Sequence, residues 1–361
     1  MTLAVNIAQS GSNNVSFRNR LINSAMVIDQ RNAGASVTPT GYTLDRWTVN
    51  QWSSSGKFSV QQNAGSVTPP AGFTHYLGAT SLSAYSVASG DFYAILQPIE
   101  GLNVADLAWG TVNAKTVTLS FWVRSSLTGT FGGAIQNSAT NRSYPYSYAI
   151  SSANTWEYKT VTIAGDTSGT WLTTNGIGMY VAFSLGAGAT YLGTAGAWAG
   201  SDLRAPTGQT SVVGTNGATF YITGVQLEAG STASPFEYRQ YGTELGLCQR
   251  YFQTNVLSSS DYPFSSVYAY TTSVSAGCLP IAVPMRATPT AAIVGNMALN
   301  GYGLGSQTLS SLGTIYSSIG IGSGITIFCN PTTTTASLTA NQLYCLVNRG
   351  SNTGYTLSAE L

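Results

Sequence analysis

Charge is what this sequence has least of. Lys, Arg, Asp and Glu make up 7% of its 361 residues and nearly cancel, to a net charge of +1. An ordinary soluble chain carries about 25%. So sparse and balanced a set gives no electrostatic pull toward nucleic acid or an anionic membrane, and neither is expected as a partner. Long apolar runs are missing too. No stretch approaches the ~18 consecutive apolar residues of a spanning helix, so no membrane insertion is expected. Ser, Thr, Asn and Gly stand where charge would be. The opening MTLAVNIAQSGSNNVSFRNR has no basic stretch followed by an apolar core. Synthesis in the cytoplasm without a signal peptide is the expectation.

The residues of catalysis are equally thin. There is one histidine, His75, and no GxSxG elbow around any serine. No P-loop or GxGxxG in a βαβ setting appears; the glycines fall in β turns. Asp29, Asp45, Asp91, Glu100, Asp106 and Glu157 are scattered, and a glycan-cleaving enzyme needs two carboxylates within about 5 to 10 Å of each other. No enzyme is expected and no catalytic residue is nominated. The four cysteines, Cys248, Cys278, Cys329 and Cys345, all come late and none has CxxC spacing, which argues against zinc. Buried free thiols are the ordinary reading, and a Cys329–Cys345 disulfide stays open. Jelly-roll domains often hold a structural Ca²⁺, but there is no DxDxDG-type loop. No cofactor is expected, with calcium the one open alternative.

What is present is strand after strand. In KTVTLSFWVR (Lys115 to Arg124), Val117, Leu119, Phe121 and Val123 share one face, and Thr118, Ser120, Trp122 and Arg124 the other. Ser147 to Ser151, Lys159 to Ile163, Met179 to Leu185 and Thr219 to Leu227 are further strands. Phe17 to Arg31 and Gly41 to Val49 read as the first ones. Gly-rich turns punctuate them, and long helical periodicity is absent. The fold class is therefore all-β. An N-terminal arm, residues 1–16 and a candidate particle anchor, precedes a sandwich at 17–240. A linker with a short helix follows at 241–257. A smaller C-terminal β-sandwich at 258–361 is the candidate oligomerising or distal domain. There, Tyr355 to Leu361 is expected to pair with Leu343 to Arg349.

The stretch GVQLEAGSTASPFEYRQYGTELGLCQRYFQ (Gly224 to Gln253) reads as a strap between the two domains, with Phe236, Tyr238, Leu245, Cys248 and Phe252 as its anchors. Leu245, Cys248 and Phe252 fall at i, i+3, i+7 of a helix. Residues 187 to 217 and 53 to 93 read as long loops, where function often sits. Aromatics are the better lead to function. Seven Trp and 21 Tyr are generous for this length. Flat rings stack on sugar C–H faces while hydroxyls and amides satisfy sugar hydroxyls. Trp52, Trp171 and Trp198, in or beside turns, and Tyr144, Tyr146 and Tyr148, alternating onto one face, are the candidate carbohydrate-binding residues. Core packing weighs evenly against binding for the loop tryptophans. Trp47, Trp122 and Trp156, in or beside strands, read as core.

The phrases NRLINSAMVIDQRN, YTLDRW, VTLSFWVRSS, SSANTWEYKTVTIAGDTSGTW and FYITGVQLEAGSTASPFEYRQYGTELGLCQRYF together resemble tail-fibre-type and other virion structural proteins of tailed bacteriophages. The resemblance covers roughly 17 to 253, and PMRATPT through SAEL is similar to the ends of such proteins. It implies a jelly-roll of the carbohydrate-binding-module type, assembled in the virion with other virion proteins and with copies of itself, a trimer being favoured. It transfers no ligand residues. The expectation is an adhesin attaching to host-surface polysaccharide; the rival is a structural capsid or tail decoration that binds no sugar.

Overall fold

A computed structural model describes residues 17–52, 56–259, 262–301, 305–313, 315–316, 326–329, 331–333 and 338–361. The chain divides into two compact units, residues 1–239 with Leu361, and residues 240–360. The expected N-terminal arm lies outside the described residues.

The first unit is a jelly-roll β-sandwich. Its strands are β1 (Thr48–Trp52), β2 (Phe58–Gln62), β3 (Leu77–Ser81), β4 (Phe92–Glu100), β5 (Val117–Ser125), β6 (Gly129–Gln136), β7 (Ser143–Ile150), β8 (Glu157–Ile163), β9 (Ile177–Ala187), β10 (Leu192–Gly193), β11 (Ala205–Pro206) and β12 (Thr219–Ala229). One sheet runs β1-β4-β9-β6-β7 and the other β2-β3-β12-β5-β8. Strands with apolar residues in one phase must bury that phase against a second layer. Val117, Leu119, Phe121 and Val123 of β5 do so against Phe131, Val181 and Phe183 of the facing sheet, all fully buried. The alternation read from the sequence thus fixes which β5 side chains point away from the core.

Phe17 to Arg31 and Gly41 to Val49 were expected as strands, and only the end of the second becomes one. Phe17, Asn23, Met26 and Arg46 take positive φ, which breaks an extended ladder. Side chains replace the ladder. The Asn23 amide donates to Ile28 O and Asp45 O, and Gln97 exchanges two hydrogen bonds with the backbone of Ile22. Leu21, Met26, Leu44 and Trp47 then close the core. Strands β2 and β3 and the start of β4 likewise fall inside the expected loop 53–93, leaving 63–76 and 82–91 as its irregular parts.

The second unit begins with helix α1 (Tyr241–Gln249) and β13 (Phe252–Leu257). Then come β14 (Pro263–Ala269), β15 (Ser275–Pro280), β16 (Thr290–Val294), β17 (Met297–Gly301), β18 (Gly305–Ser311), β19 (Ile315–Tyr316), β20 (Thr326–Cys329), β21 (Thr332–Thr333), β22 (Gln342–Asn348) and β23 (Thr353–Ser358). An eight-stranded sheet, β19-β20-β15-β14-β22-β17-β18-β21, accompanies a three-stranded one, β13-β23-β16. The expected hairpin of the last two strands does not form. β22 pairs with β14 and β17, and β23 pairs with β13 and β16. Tyr344 and Leu346 share one buried cluster with Tyr355 and Leu357, so the two strands meet through side chains rather than through backbone.

The 241–257 segment, expected as a linker, is helix α1 and a paired strand of this unit. The helix stops at Gln249, so Phe252 starts β13 and does not extend the helical face. Cys248 is fully buried and Leu245 half-buried. Cys278 and Cys345 are free thiols, half-buried and exposed. Cys345 is therefore in no disulfide, and the Cys329 side chain lies outside the described residues.

Candidate functional site

The aromatic residues nominated from the sequence separate into three groups. Tyr146 and Tyr148 of β7 point into the sandwich. Tyr148 packs on Phe121 and Phe131, Tyr146 on Phe183, and the Tyr146 hydroxyl donates to Ala182 O. Burial holds both phenols well above the ordinary tyrosine pKa. A ring enclosed in a core has no face to offer a sugar, so these two are corrected to core residues.

Tyr144, Trp171 and Trp198 form a second group with Trp109. The three indoles meet edge to face at centroid distances of 4.7, 5.3 and 5.6 Å. Tyr144 lies 5.1 Å from Trp198. The indole N–H groups are spent internally. Trp109 donates to Lys115 O, Trp198 to Ala164 O and Trp171 to Asp166 and Ser168 O. Asp166 also takes a two-pronged ion pair from Arg142, at 2.7 and 2.6 Å, which raises the Arg142 pKa above its ordinary value. With Trp171 and Tyr144 buried, this is a closing corner of the sandwich and not an open platform. Trp52, 63% exposed at the end of β1, stands apart from both groups.

The third group was not nominated. Trp122 was read as core, yet it sits on the outward phase of β5. Directly opposite it on β8 is Tyr158, at a centroid distance of 5.4 Å and 45% exposed. β8 is the edge strand of its sheet. Beyond Tyr158 the same phase carries Thr160 and Thr162, each step about 7 Å along the strand. These residues floor a groove of about 590 Å³, open to solvent, whose far wall is the segment 231–236. Thr118 and residues 231–236 complete its lining.

The chain builds that wall deliberately. After β12 it turns at Gly230 and runs back over the outer sheet face. The Thr118 hydroxyl donates to Gly230 O and the Thr162 hydroxyl to Ser231 O. The buried Glu228 carboxylate accepts both the amide and the hydroxyl of Ser234, at 2.8 and 2.6 Å. Farther on, Phe236 and Tyr238 stack against Phe73 at 5.0 and 5.5 Å. Phe236 and Tyr238, expected as interdomain anchors, are thus fastened within the first unit. Phe73 approaches β12 so closely that a Cβ at Gly224 would lie 2.5 Å from its ring, and Gly224 has φ +59°. Only glycine fits both demands there. Glu237 accepts the Phe17 and Asn19 amides and pairs with Arg239. Burial alone would raise its carboxyl, but the Asn19 amide and the Arg239 charge outweigh it, and its pKa lies below the usual carboxylate value.

Two polar atoms in this groove are uncommitted. Five of the seven indole N–H groups donate within the chain. Among the described residues, those of Trp122 and Trp52 do not, and neither does the Tyr158 hydroxyl. The groove therefore offers two adjoining rings, an indole donor, a phenol and threonine hydroxyls. That is the equipment for holding a flat, hydroxyl-rich ligand. The sequence did carry the signal: Trp122 occupies the hydroxyl phase of a strictly alternating strand.

The carboxylates have structural work. Asp29 accepts the Asn32 and Gly34 amides, Asp91 the Tyr85 hydroxyl, and Glu157 the Ser151 and Ser152 amides. Among the described residues no group of three or more His, Cys, Asp or Glu side chains is arranged to hold a metal. No described helix is long and apolar enough to cross a membrane.

No family model matches the chain, and no curated protein does. Several solved structures are similar. The enzymatically active domain of bacteriophage CBA120 tailspike protein 4 shares 12% identity over 60% of this chain and 22% of that one, with a TM-score of 0.32. A CBM4 module shares 13% identity over 58% of this chain and 98% of its own, with a TM-score of 0.29. The family 11 carbohydrate-binding module of cellulase Lic26A-Cel5E of Clostridium thermocellum shares 12% identity over 57% of this chain and all of its own, with a TM-score of 0.25. The chain spans only 22% of the tailspike domain it aligns with. With TM-scores this low, function has to be argued from this chain's own residues.

Proposed function

We propose that this chain is a non-enzymatic virion protein of a tailed bacteriophage, a tail fibre or similar adhesin, that attaches to host-surface glycan through the groove over β5 and β8. The observation that carries the glycan part is the pairing of half-buried Trp122 with exposed Tyr158, with their uncommitted donors, at the head of a row of hydroxyls. The virion part rests on the resemblance of the quoted phrases to phage structural proteins. A single shallow groove binds weakly, and a homo-oligomer, a trimer in the favoured arrangement, converts weak sites to avidity.

The test is binding of the purified full-length protein to bacterial cells and to polysaccharide extracted from their surface, with oligomeric state read by light scattering. Saturable binding that Trp122→Ala removes is the expected result. A well-folded oligomer that binds no cells or polysaccharide overturns the adhesin reading.

A second reading is a structural decoration of head or tail. What favours it is the second unit's exposed, uncharged side chains, including Tyr268, Tyr270, Val274 and Leu343 at 38 to 59% exposure. Such surface suits packing against other virion proteins.

A further inference from the structure

Taking the groove as the glycan site, we infer that its ligand is a neutral polysaccharide, recognised as a short run of uncharged sugar units rather than as a carboxylated, sulfated or phosphorylated one. Not one of the residues lining the groove is an Asp, Glu, His, Lys or Arg. The charged groups nearby border the groove without lining it. Arg124, next along β5, donates to Asn154 O and lies over the Tyr221 ring. Lys159 is in the opposite phase of β8 and paired with Glu157. Behind the wall, the Glu228 carboxylate is turned to Ser234, the Arg18 guanidinium to the backbone oxygen of Pro235, and Glu237 to Arg239.

An acidic sugar entering this groove would shed water from its charge and meet no cation among the lining side chains in return. Such desolvation is unfavourable unless the charge is paired. A neutral sugar faces no such cost. Its C–H face covers the Trp122 and Tyr158 rings. Its hydroxyls meet the indole N–H, the phenol and Thr160, whose hydroxyl makes no bond within the chain among the described residues. The groove is longer than one ring, since Tyr158, Thr160 and Thr162 span about 14 Å along the strand, which favours an extended chain over a monosaccharide.

The experiment is calorimetric titration of the full chain with neutral polysaccharides (dextran, mannan, mixed-linked β-glucan) and acidic ones (alginate, hyaluronan, polygalacturonate). Each is repeated from about 0.01 M to about 1 M salt, over which the screening length falls from ~30 to ~3 Å. Saturable binding to a neutral polymer is expected, with Kd changing less than about twofold across that range because no charge pairing is screened. Trp122→Ala should weaken it by about tenfold or more, as for a central aromatic anchor. Thr160→Lys, at an exposed site, should add salt-sensitive binding of an acidic polymer.

Binding confined to acidic polymers, lost at high salt and abolished by Trp122→Ala, overturns the neutral class while leaving the groove as the site. Binding that Trp122→Ala and Tyr158→Ala both leave untouched removes the groove as the site. No binding to either class overturns both and points instead to a peptide partner along the β8 edge.

Discussion

At the scale of single residues, position within a strand's phase decides what an aromatic ring does. Trp122 and Tyr146 are both large rings in the middle of strands, one turned outward and one inward. Trp122→Ala and Tyr158→Ala are expected to weaken glycan binding by about tenfold or more and to cost less stability than core truncations do. Tyr146→Ala and Trp109→Ala are expected to cost about 3 to 5 kcal/mol. Thermal unfolding beside a binding assay separates the two pairs. The thiols give a second check, since Cys345 is exposed, Cys278 half-buried and Cys248 buried. A thiol reagent should modify Cys345 first and reach Cys248 only on unfolding. Much of this was legible. The sequence pattern placed Thr118, Ser120 and Trp122 together on one face, which is where they are. Assigning Trp122 to the core followed the general habit of tryptophan and set aside the strand's own alternation. Trp171 misled for the converse reason: a turn position suggests exposure, but it is buried against Trp109 and Trp198, while Trp198 itself stays half-buried.

At the scale of elements, the returning segment 231–239 turns a plain sheet edge into a groove. Its anchors are side chains, and they titrate. Glu237 has a depressed carboxyl pKa in the folded chain, so the stabilisation it gives is fully present above the ordinary carboxylate value of 4.5 and is lost as pH falls through the folded value. Glu237→Gln should therefore cost about 1 to 3 kcal/mol near neutrality, the range for unsatisfied buried partners. As pH falls through the folded carboxyl's depressed pKa and it takes up its proton, that difference should shrink. Melting curves of both proteins across acid pH measure it. Glu228→Gln removes one acceptor from Ser234 and should slacken the wall, weakening binding with little effect on the core. None of this wall was legible in composition or periodicity, because it depends on Glu228 meeting Ser234 and Thr118 meeting Gly230 after the fold has formed.

At the scale of the whole molecule, the two largest apolar cores among the described residues belong to different units. One joins both sheets of the first unit, and the other lies in the second. Calorimetry should resolve two transitions, and Phe121→Ala should lower one while leaving the other in place; a single transition that moves as a whole would reject independent cores. The all-β class and the alternation of β5, β9 and β12 were readable because apolar period two is a local signal. The pairing of β22 and β23 with other partners was not, because strand neighbours are chosen by long-range packing. The opening segment escaped for a different reason: its left-handed residues are asparagine, methionine and arginine as well as phenylalanine, not the glycines that advertise a break.

The groove has a mechanical consequence. Its floor belongs to β5 and β8, and its wall to a stretch 112 residues away from Thr118, joined across the gap by the Thr118–Gly230 bond and its companions. A load hung on a molecule seated there would fall first on that side-chain seam and not on the backbone ladders of the sandwich. The seam would open and reclose while the sheets stayed whole. A tether made this way lets go of its cargo before it breaks itself.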